Sequence, residues 1–157
     1  MKRNSKGKAR EKAIQVWTYD QARGAVPYLT SVVRSLREHA LEALALQRQS
    51  RRLAAKPGRP DRDDLIAQQE AERQARAADA RLQETADELH ALDVFSLDPT
   101  GGLALVPFVH DEQLAWYVFD LFDSQPFRFW RFQSDPEDTR RPITPTQQGW
   151  TGTTQLA

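Results

Sequence analysis

The chain has 157 residues, enough for one domain with a single modest core. Its 22 basic and 22 acidic residues cancel, so overall charge gives no argument for nucleic acid, and the absence of cysteine excludes disulfide bonds, thiolate metal sites and cysteine nucleophiles. No apolar run approaches the ~20 residues that span a bilayer, and no signal-peptide core follows the basic start, so we expect a soluble, cytoplasmic protein.

Residues 1–15 are predicted to form a disordered basic arm. The arm has little to bury, and its basic side chains are Lys2, Arg3, Lys6, Lys8, Arg10 and Lys12. Such an arm is typical of segments that bind phosphate backbones, for example RNA or the ribosome surface, and also of solubilising tails. Its first dozen residues contain no aromatic side chain to stack on bases, which favours the tail.

A short helix is predicted to begin at Thr18. Thr18 and Gln21 have the spacing of a capping box, and Trp17 and Ala22 occupy the positions of a hydrophobic staple. Pro27 then marks the end of this helix or the first turn of the next, because its ring clashes with the carbonyl four residues earlier. We therefore expect a kink near residues 25–26.

Residues 26–92 predict two long antiparallel helices. Apolar residues recur at helical spacing on the first arm at Leu29, Val32, Val33, Leu36, Ala40 and Ala43. The same spacing on the second arm joins Ala71, Ala75, Ala78, Leu82, Ala86, Leu89 and Leu92. Pro57, Gly58 and Pro60 break the pattern between the arms, and Asp61 can cap the second helix. A connection this short predicts a helical hairpin.

The two arms carry opposite net charge. Between Tyr28 and Lys56 there are six basic residues and two acids, a net of +4, and between Asp61 and Leu92 there are four basic residues and nine acids, a net of −5. Exposed ion pairs are weak, so this pattern selects the partner and orientation of each helix more than it stabilises the fold. The tip has more alanine than the base and is expected to be the less stable end.

After Leu92 the apolar period changes from helical to alternating. Short apolar runs separated by polar turns predict antiparallel strands at 94–97, 103–109, 114–122 and 127–132. The fold class is therefore α+β: a long antiparallel helical hairpin followed by a small three- to four-stranded antiparallel sheet. We place this single domain at residues 16–143 and expect residues 144–157, rich in Thr, Gln and Gly, to form a disordered tail.

Aromatic side chains are predicted on both faces of the sheet. Alternation places Trp116 and Val118 opposite Tyr117 and Phe119, and it places Phe127 and Phe129 together, opposite Trp130. One face must cover the base of the hairpin, and the other is exposed or covered by a partner.

Five segments share the pattern of a known family. They are Trp17-Thr18-Tyr19-Asp20-Gln21-Ala22 with Val26-Pro27, Gly102-Leu103 with Pro107-Phe108, Tyr117 to Asp123, Phe129-Trp130, and Arg141-Pro142-Ile143. In this order they resemble a bacterial family known as domain of unknown function 2203, over about residues 16–143. The resemblance implies a helical hairpin followed by a short antiparallel sheet, and it implies no activity.

The chain departs from the family pattern at four polar positions of the sheet. Where the pattern has an Asp, a Cys-Trp pair, Gly-Glu and a His, this chain has Leu105 or Val106, Val118-Phe119, Phe122-Asp123 and Arg131. A site that those polar residues form in relatives would be largely lost here.

No motif of an enzyme, cofactor site or metal site is found. His39 and His90 fall on different arms, and His110 beside Asp111 and Glu112 reads as an exposed polar turn, since no further ligand for a metal lies nearby. Gly101-Gly102 lacks the lysine and helix of a phosphate loop, and no nucleophile-elbow pattern occurs. Asp120 and Asp123 with Arg128 and Arg131 are either an anion-recognition site or cross-strand ion pairs, and ion pairs are favoured.

Three classes of function remain. The leading hypothesis is a non-catalytic structural or interaction module. Its hairpin, a coiled coil, self-associates into a four-helix bundle or docks on a partner helix, with the aromatic sheet face as a second contact. The candidate contacts are Arg48, Arg51, Arg52, Lys56, Asp120, Arg128, Trp130 and Arg131. The alternative is an RNA- or ribosome-associated protein that uses the basic arm and the hairpin tip. The third is an enzyme or small-ligand protein with a site at the sheet near Asp120 and Arg131.

Overall fold

A computed structural model describes residues 13–144, and it has the predicted α+β architecture. The helices are α1 (Tyr19–Gly24), α2 (Val26–Ala54) and α3 (Arg62–His90). The strands that follow are β1 (Phe95–Asp98), β2 (Leu103–His110), β3 (Gln113–Asp120), β4 (Phe127–Phe132) and β5 (Arg141–Pro142). They form one antiparallel sheet in the order β1-β2-β3-β4-β5, with one strand more than the sequence predicts. The residues of the basic arm up to Lys12, and the tail from residue 145, lie outside the described range.

The start of α1 and the kink before α2 are as predicted. The Thr18 hydroxyl accepts the Gln21 amide at 3.1 Å, and the Gln21 side chain accepts the Thr18 amide at 2.9 Å, which completes the capping box. Ala25 alone separates α1 from α2, and Pro27 lies in the first turn of α2, where its missing amide proton leaves no hydrogen bond unmade.

Helices α2 and α3 form the hairpin. Gly58 takes a positive φ of 96° in the connection, and the Asp61 carboxylate caps α3 by accepting the Asp64 amide at 2.8 Å. The predicted stripe of α2 is buried throughout, and that of α3 is buried at Ala71, Ala75, Ala78 and Leu89 and half-buried at Leu82, Ala86 and Leu92. Among residues 13–144, no helix is long and apolar enough to cross a membrane.

The inner face of the sheet packs against the base of the hairpin. Phe108 stacks on Tyr117 with ring centroids 3.9 Å apart, and Tyr117 meets Tyr19 of α1 edge to face. Trp17 ties the chain before α1 to this core, because its amide donates to the Pro107 carbonyl at 2.8 Å and its indole donates to the Leu92 carbonyl at 3.2 Å.

A β-bulge in β4 changes which side chains face the helices. Val118 pairs with Phe129 but Phe119 pairs with Phe127, so Arg128 is the extra residue. Phe127 therefore lies in the core and Phe129 on the opposite face, which corrects the prediction that they share a face. Side chains alternate strictly between the two faces only where each residue of one strand pairs with one residue of the next.

Strand β5 forms an edge of the sheet and is the strand that the sequence pattern does not predict. Arg141 pairs with Trp130 and Pro142 pairs with Phe129, and the Ile143 amide donates to the Arg128 carbonyl at 3.0 Å. Because proline has no amide proton, an edge strand of two residues ending in Pro142 offers little to a neighbouring chain.

Candidate interaction surfaces

The sheet supports only the base of the hairpin. The core cluster takes Leu29 to Leu36 from α2 and Leu82 to Leu89 from α3. Within the described residues, the stretch 40–78 contributes nothing to this cluster, and we call it the distal arm. Its buried side chains are all alanines: Ala40, Ala43, Ala71, Ala75 and Ala78. Alanine buries little apolar area, so the distal arm is held by far less burial than the base.

Three exposed apolar side chains lie near the point where the distal arm leaves the sheet. Arg37 marks this side of α2, since its Nε donates to the Thr100 carbonyl at 3.0 Å and its guanidinium lies 5.1 Å from the centre of the Phe122 ring. Leu41 and Leu44 follow Arg37 at helical spacing and are 41% and 42% exposed, while Phe122 is 65% exposed. Leu41 and Leu44 thus lie on the side of α2 from which Arg37 reaches Phe122, and we call these three exposed apolar side chains the apolar notch. Exposed apolar side chains grouped on one side of a protein mark interaction sites.

The basic residues of the hairpin tip divide into one that is paired and three that are not. Lys56 forms an ion pair with Asp64 at 2.7 Å, and this contact lowers the pKa of the Asp64 carboxyl. Within residues 13–144, the other three, Arg48, Arg51 and Arg52, have no ion pair. We call these three the arginine cluster, and with Ala45 they line a hollow of about 500 Å³.

The candidate residues of the sheet do not form one site. Asp120 accepts the Phe122 amide at 3.0 Å in the turn after β3, and Arg128 pairs with Asp123 through two hydrogen bonds of 2.8 and 2.9 Å. Trp130 is buried in the core beside Phe108 and offers little surface to a partner. Arg131 points to the opposite face, because adjacent residues of a strand alternate.

Arg131 is a buried charged side chain on the outer face of the sheet. It is 5% exposed, and its Nη1 donates to the carbonyls of Phe132 at 3.3 Å and Asp135 at 3.5 Å. Its Nε is buried with no hydrogen-bond partner in the described part of the chain, and the same holds for the Ser96 hydroxyl. Both residues line an open hollow of about 550 Å³, which we call the outer hollow.

The apolar wall of the outer hollow comes from three strands. Trp116 packs edge to face on Phe95 with ring centroids 5.4 Å apart, and its indole donates to the Gln133 side chain. Leu97 and Leu105 complete the wall. Leu105, one of the two positions matched to the Asp of the resembled family pattern, and Arg131, the position of its His, line the same hollow.

Arg141 organises the charges beside this hollow. Its Nε and Nη2 donate to the two Asp135 carboxylate oxygens at 2.8 and 3.0 Å, and the guanidinium lies 5.0 Å from the Phe132 ring centre. The Arg141 contact, with help from the Phe132 amide, lowers the pKa of Asp135 to about 2. Nothing in the sequence pattern predicts this pair, because the two residues are six positions apart outside any predicted strand.

The polar turn at His110 is the tight turn between β2 and β3. Asp111 and Glu112 both have positive φ, 50° and 62°, as a two-residue hairpin of this type requires. Within residues 13–144, no group of three or more His, Asp or Glu side chains is arranged to hold a metal ion. The His110 ring instead packs edge to face on Trp130, with centroids 4.9 Å apart.

Comparison with known proteins gives one match. A family model described as an uncharacterized conserved protein, DUF2203, matches residues 15–143, nearly all of the described chain. No curated protein and no solved structure matches the sequence.

Proposed function

The chain belongs to the uncharacterized conserved family DUF2203, and on that premise we propose that it is a non-catalytic interaction module that dimerises through the distal arm of its hairpin. The observation that carries this proposal is the extension of the arm beyond the sheet with an alanine seam and the exposed apolar notch at its root. The part of α2 that lies in the distal arm, residues 40–54, is on the order of 20 Å long, and α3 extends beside it.

A second copy of the chain is the occupant that the charges favour. Residues 40–56, from α2 into the connection, contain four basic residues and one acid, a net of +3. Residues 61–78, at the start of α3, contain three basic residues and five acids, a net of −2. In a symmetric four-helix bundle of two hairpins, α2 of one copy lies beside α3 of the other, which brings these opposite charges together. Leu65 and Ile66, 48% and 53% exposed, are the apolar side chains that α3 offers in return.

Light scattering on the full-length protein tests the dimer. We expect twice the mass of one chain at low and moderate salt, and the mass of one chain for the double variant Leu41→Gln, Leu44→Gln. Tyr28→Gln is the matched control, since Tyr28 is 42% exposed but lies at the base of the hairpin. A monomeric wild-type protein at about 100 μM, or a double variant that dimerises as well as the control, would refute the proposal.

The arginine cluster favours a second candidate, an RNA- or ribosome-associated protein. Its three guanidinium groups have no ion-pair partner within residues 13–144 and lie together on one exposed surface. Neutralising three phosphate contacts on a single strand contributes about 2 to the slope of log affinity against log salt. Replacing all three arginines of the cluster with glutamine should reduce the salt slope of binding to a single-stranded RNA by this amount. The matched control replaces three exposed arginines of α3 with glutamine: Arg62, Arg73 and Arg81. Equal slopes for both variants would remove this candidate.

A cytoplasmic location and a bacterial source belong to the same proposal. Both come from the sequence and from the family pattern that it resembles. Fractionation of a bacterial cell that expresses the full-length protein tests the location, and recovery with the membrane or the periplasm would contradict it.

A further inference from the structure

The outer hollow is lined by the two residues of the described chain whose buried polar side-chain atoms have no hydrogen-bond partner. Arg131 is 5% exposed as a whole residue, and its Nε is closed to solvent and finds no acceptor among residues 13–144. Buried donors are almost always paired, because an unpaired one is destabilising. The Ser96 hydroxyl, in the wall of the same hollow, is also buried and unpaired.

The free edge of Arg131 has the geometry that binds a carboxylate. The hydrogen bonds of Arg131 within residues 13–144 come from Nη1. The edge formed by Nε and Nη2 is therefore the one without a described partner, and a carboxylate binds such an edge through two parallel hydrogen bonds.

No carboxylate of the described residues forms a hydrogen bond with Arg131. Asp135 is the carboxylate beside it, and both Asp135 oxygens already accept from Arg141. Glu137 also lines the hollow but is exposed to solvent, so water screens its charge. The Arg131 and Arg141 guanidinium groups thus lie beside a single shielded carboxylate, that of Asp135, which bonds to Arg141.

The rest of the hollow is apolar and suits the body of a small organic molecule. Its wall includes the faces of Phe95 and Trp116 and the side chains of Leu97 and Leu105, and its volume of about 550 Å³ lies in the range of small-molecule sites. We propose that the outer hollow binds a small carboxylate with an aromatic or aliphatic body, and that the carboxylate bonds side-on to Arg131. Ser96 supplies a further hydrogen bond.

Binding also requires one local movement. Because Nε is closed to water, a neighbouring side chain must give way before an acceptor reaches it. Gln133 is an exposed side chain of the wall, and its side-chain oxygen accepts the Trp116 indole N–H. Displacement of Gln133 would free the indole proton, so ligand binding should move the Trp116 indole resonance.

The test uses the full-length protein and pairs of acids and their primary amides. The probes are phenylacetate, indoleacetate, hexanoate and decanoate, each beside its neutral amide, followed by protein NMR up to about 10 mM. We expect at least one acid to shift the resonances of Ser96, Trp116 and Arg131 and to bind at least about tenfold more tightly than its amide. If no acid binds better than its amide, the proposal is refuted.

Variants separate the side-on contact from charge alone. Arg131→Gln should reduce the affinity of the acid to that of the amide, and Arg131→Lys should not restore it, because lysine keeps the charge but lacks the two-pronged edge. Arg34→Gln, an exposed arginine of α2, is the control for loss of one positive charge. If Arg131→Gln does not fold, Ser96→Ala replaces it and should weaken the acid several-fold. Full affinity in Arg131→Lys, or in Ser96→Ala, would overturn the geometry proposed here.

Discussion

Truncating a leucine of α2 that faces the sheet and one near the hairpin tip should have very different effects on stability. Leu36 is 1% exposed and belongs to the core cluster between hairpin and sheet, whereas Leu53 is half-buried in the last turn of α2, outside that cluster. Leu36→Ala removes three carbons from a site that the sheet and both helices enclose, so we expect a loss of about 2–5 kcal/mol. Leu53→Ala should cost under about 1 kcal/mol, because water already reaches the side chain.

Urea unfolding, followed by circular dichroism and by tryptophan fluorescence, measures both effects. With a urea dependence of about 2 kcal/mol per M, Leu36→Ala should lower the midpoint by about 1–2.5 M and Leu53→Ala by less than about 0.5 M. The protein must be dilute enough to be monomeric, since dimerisation would stabilise the distal arm by mass action. Equal costs for the two variants would show that the distal arm is held as firmly as the base, which would remove the main support for the dimer.

Four further changes test local features of the structure. Because the Arg141 contact lowers the pKa of Asp135 to about 2, the pair stabilises the fold above about pH 4 and is lost toward about pH 2, so Asp135→Asn should flatten the acid dependence of the urea midpoint. Burial raises the pKa of Tyr117, so stability should fall above about pH 10 as the unfolded chain ionises first, and Tyr117→Phe should reduce that loss. Gly102→Ala should cost about 1–3 kcal/mol, because φ is +72° and the added carbon meets a leucine side chain at 2.9 Å. Glu112→Gly should stabilise the fold by about 0.5–1 kcal/mol, since it relieves a φ of 62°.

Each of these changes has a control. Asp138→Asn, at an exposed aspartate of the same turn, should leave the acid dependence unchanged. Tyr28→Phe removes a phenol that is 42% exposed and donates to Glu88, a contact that raises its pKa. Because Tyr117 is far more buried, this variant should keep most of the alkaline loss. Glu112→Ala keeps the strained φ and should give no gain, so a gain equal to that of glycine would point to the side chain instead of the backbone. A Gly24→Ala variant, where an added carbon meets nothing within 4 Å, should not show the cost of Gly102→Ala.

The helical part of the fold was predictable because its signals are local. Thr18 with Gln21, the prolines around Gly58 and the cap at Asp61 each act within a few residues, and the stripe of α2 repeats a spacing that only a helix buries on one side. These features came out as predicted.

The sheet was less predictable because strand pairing depends on residues far along the chain. The bulge at Arg128 arises from how β4 meets β3, and no pattern within β4 reveals it. The short strand at Arg141 forms because β4 offers it an open edge, although its own residues resemble a turn.

The outer hollow shows the same limitation at the level of a site. Sequence reasoning named Arg131 but grouped it with Asp120 and Arg128, which lie on other contacts. Ser96 and Trp116 come from different strands and carry no motif, so only the folded sheet brings them to Arg131.

The two hydrogen bonds by which Trp17 holds the chain before α1 have a consequence for the order of folding. The hairpin closes through a short connection, and each strand pairs with the strand before it, so most pairings join near neighbours and should form quickly. The Trp17 indole instead bonds to a carbonyl 75 residues away, which requires a long loop to close. The segment from Gln15 to Gly24 should therefore dock last, and its amides should be the first of the core to exchange with solvent.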